Sequence, residues 1–264
     1  MRIRKHGLGR ILVGVGLLYW GPFASSSDEN WHAYLGGLDS NQYSSLDQIN
    51  RSNVGSLEVA WAYAVDEDRG QIQCNPLVID GVLYGTSPRL KVFALDAATG
   101  AERWVFDPFE GGRGSGVSRG VAYWRDGEDR RLLGSAGHEM FALDAATGQP
   151  IASFGSGGRV DLREGLGREA SRIYLNMTTP GVVHGDLYVV GMRTSESLPS
   201  APGYVRAYDV RTGAITWTFR TIPQPGEFGH DTWPADHWER AGGANSWGGM
   251  SLDAERGIVY ESEG

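Results

Sequence analysis

One cysteine in 264 residues leaves no partner for an internal disulfide. Cys74 precedes the strand-like Pro76-Leu77-Val78-Ile79 and reads as a small buried residue. Stretches with a helical apolar period are scarce, whereas glycine reaches 39. Basic residues are the minority, with a formal net charge of −8, and an acidic surface repels phosphate backbones. Nucleic acid is therefore a poor partner. A standard zinc spacing is also missing. His230, Asp231, Asp236 and His237 cluster in sequence, but Pro234 breaks any helix that would align them. The length suffices for a substantial core and requires no second domain.

The first 27 residues stand apart. Arg2, Arg4, Lys5 and Arg10 form a basic start, and Ile11 to Tyr19 is an apolar run too short to span a bilayer comfortably. Ala24 and the following serines offer a small-residue cleavage zone. Residues 1–27 are expected to be a signal peptide and 28–264 the mature domain, exported to the periplasm. A membrane anchor is the alternative. Without the four leader cations, 20 Lys+Arg face 32 Asp+Glu, a net charge of −12.

Four segments share a turn pattern: Leu95-Asp96-Ala97-Ala98-Thr99-Gly100, Leu143-Asp144-Ala145-Ala146-Thr147-Gly148, Tyr208-Asp209-Val210-Arg211-Thr212-Gly213 and Leu252-Asp253-Ala254-Glu255-Arg256-Gly257. Each follows an alternating apolar run, at spacings of 48, 65 and 44 residues. Asp can bond the turn backbone and Gly can supply a positive φ, so each predicts a tight turn between antiparallel strands. Trp104 and Trp217 lie four residues past the turn glycine; Ala152 and Glu261 hold that place in the other copies. Further hairpins are predicted at Leu77–Tyr84 around Asp80-Gly81, at Val182–Val190 around His184-Gly185-Asp186, and at Ala122–Leu133 around residues 125–130. Short strands repeating at this period predict an all-β fold of β-propeller blades, with the four Asp turns at equivalent places. A β-sandwich is the fallback. Gly111–Gly116 lacks the strand–loop–helix context of a phosphate loop and reads as a connection between blades.

Gly242-Gly243-Ala244-Asn245-Ser246-Trp247-Gly248-Gly249 surrounds one large ring with small residues. Glycines let backbone approach a neighbour closely, and the indole then offers a floor for a planar ligand. A packed loop tryptophan is the alternative.

The Asp-x-x-Thr-Gly-x-x-x-Trp turns resemble the tryptophan-docking repeats of quinoprotein alcohol and glucose dehydrogenases. Ser40–Asn50 resembles that family's opening segment, and Leu57–Tyr63 the strand that closes its ring. Ser118–Trp124 and Gly242–Trp247 resemble two of its cofactor-lining segments. The resemblance covers residues 30–264. It implies an eight-bladed propeller holding pyrroloquinoline quinone (PQQ) and calcium on its axis. It further implies an alcohol or sugar (glucose-type) substrate, with a cytochrome or membrane quinone as electron acceptor. By position, Trp247 matches the stacking tryptophan and Arg119 the arginine that reaches a PQQ carboxylate. Thr178 matches a threonine near the cofactor, with Thr179 as the neighbouring register. Asn245 matches a polar contact, and Arg193, in Met192–Ser197, joins the cofactor contacts. Glu196 matches the calcium-ligating glutamate. A surface ion pair is the other reading of Arg119, and a solvated loop acid the other reading of Glu196.

The sequence also departs from the family. No cysteine pair precedes the arginine segment, which disfavours the methanol-oxidising branch. In the family, a second metal ligand, the aspartate base and the remaining blades follow the position of Gly264. The resemblance therefore implies about half a ring here, with no catalytic base among residues 28–264 and no turnover from them alone. Two rivals remain: a non-enzymatic propeller scaffold of the outer-membrane assembly type, and an inactive truncated product. The joint presence of Arg119, Glu196 and Trp247 separates the cofactor reading from the scaffold. Expressed in a bacterium with its own leader, the protein is expected in the periplasm, shortened near Ala24–Ser27. Full-length protein held in the cytoplasm would count against the leader.

Overall fold

The computed structural model describes residues 30–264 except 66–69, 113, 168 and 170–172. The leader expected at 1–27 lies outside the described residues. Strands β1 (Leu77–Ile79), β2 (Val82–Thr86), β3 (Val92–Asp96) and β4 (Glu102–Phe106) form one antiparallel sheet in chain order. Strands β5 (Ala122–Asp126), β6 (Asp129–Ala136), β7 (Glu139–Asp144) and β8 (Arg159–Asp161) form a second. Strand β9 (Leu175–Asn176) precedes a third sheet made of β10 (Val182–His184), β11 (Leu187–Val190), β13 (Val205–Asp209) and β14 (Ile215–Phe219). The short β12 (Arg193–Thr194) leaves that sheet to pair with β9. A final hairpin joins β15 (Met250–Asp253) to β16 (Ile258–Glu261). The one α-helix among the described residues, α1 (His237–Arg240), is four residues long.

The all-β expectation and the three predicted hairpins therefore hold. One turn is tighter than expected. Arg125 pairs Arg130 and Asp126 pairs Asp129, so the bend between β5 and β6 is Gly127-Glu128 alone.

Middle strands are buried on both faces because the sheets stack on one another. Leu77, Tyr84, Val92 and Ala94 of the first blade pack with Leu132, Phe141 and Leu143 of the second. Leu133, Met140 and Ala142 continue the core to Tyr188, Val190 and Tyr208 of the third. Val182, Val189 and Ala207 meet Met250 and Leu252. Each fully buried side chain of this kind contributes about 1.5–3 kcal/mol. Strand β10 lies against β5, and β15 against β10, so the first strands line the inner edge. A strap of residues 30–40 crosses that edge. Trp31 bridges Val78 of β1, while Leu252 N donates to Leu38 O and Ser40 Oγ to Met250 O at the far side.

Three of the four Asp turns share one bonding scheme. Asp96 Oδ1 accepts from Ala98 N, Thr99 N and Thr99 Oγ1 at 3.2, 3.0 and 2.9 Å. Asp144 does the same with Ala146 and Thr147, and Asp209 with Arg211 and Thr212. The Arg103 guanidinium on Asp96 Oδ2 and then the Thr99 bonds hold Asp96 below the usual carboxylate range. Gly100, Gly148 and Gly213 take φ of 71°, 71° and 73°, where other residues are strained.

The fourth copy departs from the expectation. Arg256 stands where the others have Thr, and Asp253 bonds Arg256 N and its guanidinium instead. Because β15 takes the inner place next to β10, Asp253 lies in the first turn of a fourth blade, as Asp80-Gly81 does in the first. The other three Asp residues lie in third turns. The structure thus holds three complete blades and the opening hairpin of a fourth.

The third turns are held by side chains from the preceding part of the chain. Trp61 donates its indole N–H to Ala97 O at 3.2 Å, and its ring fills the space where a Gly100 side chain would stand. Trp104 repeats this on Ala145 O, also at 3.2 Å, and on Gly148. Residues 57–65 are extended without ladder pairing among the described residues, so the expected closing strand is present as a docked segment. At the third turn the donor changes. Arg131 Nη1 reaches Val210 O at 3.1 Å, and Val160 covers Gly213. Trp217, expected to dock likewise, is 39% exposed. Trp104→Ala is expected to cost about 3 kcal/mol in urea denaturation and Trp217→Ala under about 1 kcal/mol. Equal losses would refute the docking scheme.

Candidate functional site

The segments that lead into the inner strands converge at one end of the blades. Arg119 lies three residues before β5, Thr178 four before β10 and Trp247 three before β15. The β11–β13 connection adds Arg193, Thr194 and Glu196. All six residues expected from the sequence (Arg119, Thr178, Arg193, Glu196, Asn245 and Trp247) line a single cavity of about 520 Å³. That volume falls in the range of small-molecule sites.

Trp247 is 45% exposed, so much of its ring is open to a ligand. The Arg119 guanidinium stands over it, 5.4 Å from the ring centroid. Arg119 Nη1 donates to Thr178 Oγ1 at 3.3 Å and to Thr179 Oγ1 at 3.2 Å. Both threonines are buried. The half-buried guanidinium has no ion pair among the described residues, so the surface salt bridge weighed for it is not what the structure forms. Thr179 Oγ1 in turn donates to Trp247 O at 2.6 Å.

Asn245 is buried and fixed at both ends of its amide. Its Nδ2 donates to Met192 O and its Oδ1 accepts from Thr194 Oγ1, each at 2.9 Å. Arg193 is exposed, with its guanidinium 6.0 Å from the Tyr174 ring centroid. Glu196 is exposed at the cavity wall, in a loop closed by Ser200 Oγ donating to Ser195 O at 2.6 Å. Two guanidiniums thus face one carboxylate in a chain of net charge −8. Such a local excess of positive charge suits an anionic ligand. Beside the cavity, burial and then the neighbouring Glu261 charge raise Glu263 above the usual carboxylate range.

Within residues 242–249, Gly242 serves the expected close approach of backbone to a neighbour. A side chain on Gly242 would strike Ser200 at 2.3 Å, and one on Gly203 would strike Asn245 at 2.3 Å. Gly191 stands equally close to Ser246 O. Gly242 and Gly191 approach backbone carbonyls and Gly203 the Cα and Cβ of Asn245, and these contacts seat the Trp247 segment on the third blade. Cys74, three residues before β1, occupies the first blade's equivalent of Arg119. It is half-buried rather than buried, accepts from Thr86 N at 3.2 Å, and burial raises its thiol above the usual range.

Thr194, on the cavity wall, carried no sequence signal of its own: it is an ordinary strand residue until Asn245 meets it. The His230–His237 cluster forms a 3-10 turn at His230–Thr232 followed by α1, and His237 stacks on Trp233 at 4.5 Å.

A family model described as "PQQ: Glucose/ethanol/alcohol dehydrogenase, beta-propeller domain" matches residues 31–263. The chain is 35% identical over 251 residues to the dehydrogenase subunit of the quinone alcohol dehydrogenase of Gluconacetobacter polyoxogenes, covering 88% of this chain and 32% of that protein. It is 34% identical over 253 residues to the quinohemoprotein alcohol dehydrogenase ADH-IIG of Pseudomonas putida, covering 90% and 33%. The crystal structure of the Comamonas testosteroni quinohemoprotein alcohol dehydrogenase superposes with a TM-score of 0.71 at 29% identity, covering 89% of this chain and 35% of that one. The ADHIIG structure from Pseudomonas putida gives 0.73 at 31% identity, covering 90% and 34%. The chain spans about a third of the length of these relatives. On the family match and these identities, the chain belongs to the glucose/ethanol/alcohol dehydrogenase family of PQQ β-propeller domains.

Proposed function

We propose that the cavity holds PQQ for the oxidation of an alcohol or sugar. The observation that carries this reading is the half-exposed Trp247 ring with the Arg119 guanidinium 5.4 Å from its centroid, held on the hydroxyls of two buried threonines. PQQ is a flat tricarboxylate. The indole suits its rings, and Arg119 and Arg193 suit its carboxylates through charge-assisted bonds. Thr178, Thr194 and Asn245 give the wall a polar lining held in place by the Arg119 guanidinium on Thr178, the Thr194–Asn245 bond and the Asn245 bond to Met192 O. The residues present therefore fit the group. When bound, PQQ supplies the acceptor for two electrons from a substrate carbon bearing a hydroxyl.

This chain's own residues bind and orient. Trp247 sets the plane of the ligand, Arg119 fixes its rotation within that plane, and Thr178 and Thr179 stop the guanidinium from drifting to solvent. We propose Glu196 as a calcium ligand, since a carboxylate is the hard oxygen donor that ion prefers. One carboxylate falls short of calcium's six to eight oxygens, and no group of three or more His, Cys, Asp or Glu is gathered among the described residues. A periplasmic site of action, and a cytochrome or membrane quinone as acceptor, complete the proposal.

Titrating the chain with PQQ while following tryptophan fluorescence tests the reading. Wild type is expected to show saturable quenching, Trp247→Ala at least about ten-fold weaker binding, and Glu196→Ala loss of any calcium enhancement with calcium-free binding intact. Absence of saturable quenching, or indifference to Trp247→Ala, would move the protein to the scaffold class.

A further inference from the structure

Thr179 stands between the cation and the aromatic ring of the cavity. Its hydroxyl donates to Trp247 O at 2.6 Å and accepts from Arg119 Nη1 at 3.2 Å. Its methyl lies 3.3 Å from where a Gly249 side chain would begin. Thr178 differs: it accepts from Arg119 and has no bond to the Trp247 segment. The Arg119 backbone is pinned as well, with its N–H on Thr178 O at 2.9 Å and its carbonyl accepting from Asn75 N at 3.0 Å. Among the described residues, Nη1 alone of the guanidinium nitrogens is bonded to protein. Nη2 and Nε stay free to receive a carboxylate.

A hydroxyl has one proton. By donating it to the Trp247 carbonyl, Thr179 turns its lone pairs toward Arg119, so one bond aims the other. We infer that Thr179 is a positioning residue for a planar anionic ligand. It sets the free edge of Arg119 relative to the Trp247 face, so that one molecule stacks on the ring and meets that edge at once. This rests on the reading of the cavity as a PQQ site.

Thr179→Val keeps the shape and removes the hydroxyl. In the full chain, with circular dichroism matched to wild type, it is expected to weaken PQQ binding about ten-fold, as Arg119→Ala does. The double variant is expected to bind no more weakly than Arg119→Ala alone, because the threonine acts through the arginine. Thr179→Ser is expected to restore wild-type affinity. Unchanged affinity in Thr179→Val, or losses that add in the double variant, would overturn the inference. A second measurement needs no PQQ. A guanidinium beside an indole draws iodide to it, so iodide quenching of Trp247, taken as the difference from Trp247→Phe, is expected to fall by about half in Thr179→Val. Neutral acrylamide quenching is expected to stay unchanged. Iodide quenching at the wild-type level overturns the positioning role whether or not PQQ binds. A chain that shows the iodide effect yet binds no PQQ keeps the positioning of Arg119 and sinks the cofactor reading instead.

Discussion

An aromatic ring laid on a glycine is the contact from which the rest of this structure follows. It recurs within blades, where Phe93 covers its ladder partner Gly85 and Phe141 covers Gly134. It recurs at the third turns, where Trp61, from the docked segment, covers Gly100 and Trp104, from the first sheet, covers Gly148. Any side chain on these glycines would enter the ring. Each contact therefore fixes both the spacing of two backbones and the residue type that permits it. The hydrogen bond from each indole to a turn carbonyl adds direction to the contact.

The cavity inherits that regularity. Its leading residues occupy the same station in successive blades, just before the inner strand, so a repeat that serves packing also places Arg119, Thr178 and Trp247 around one space. The β12 excursion breaks the repeat, and through it Arg193, Thr194 and Glu196 reach the same space. Regular blades supply the rigid frame, and one irregular connection supplies the wall.

Most of the fold was legible because its signals are local. An Asp–Thr–Gly turn bonds itself within five residues, and Asp80-Gly81 closes its own hairpin. The fourth Asp turn misled because Leu-Asp-Ala-x-x-Gly suits a first turn as well as a third. The Arg at position 256, where a self-bonding turn needs Thr, was the distinguishing residue. Trp217 misled for the converse reason: its own surroundings match those of Trp104, but docking depends on a turn in another sheet. Gly242 signals a close approach locally, but what it approaches, Ser200, lies on a connection some forty residues earlier. Family resemblance named the site residues, yet it left Thr178 and Thr179 unresolved, because only their distant partners distinguish them.

The strap has a consequence in time. Each blade closes among neighbours in sequence, and such contacts form quickly as chain becomes available. Ser40 and Met250 lie 210 positions apart, and the strap can seat fully only when β15 exists. A segment that precedes every blade strand is thus among the last to complete its contacts. Until then Leu38 and Tyr34 lack their far-side contacts, and the inner edges of the blades stand uncovered.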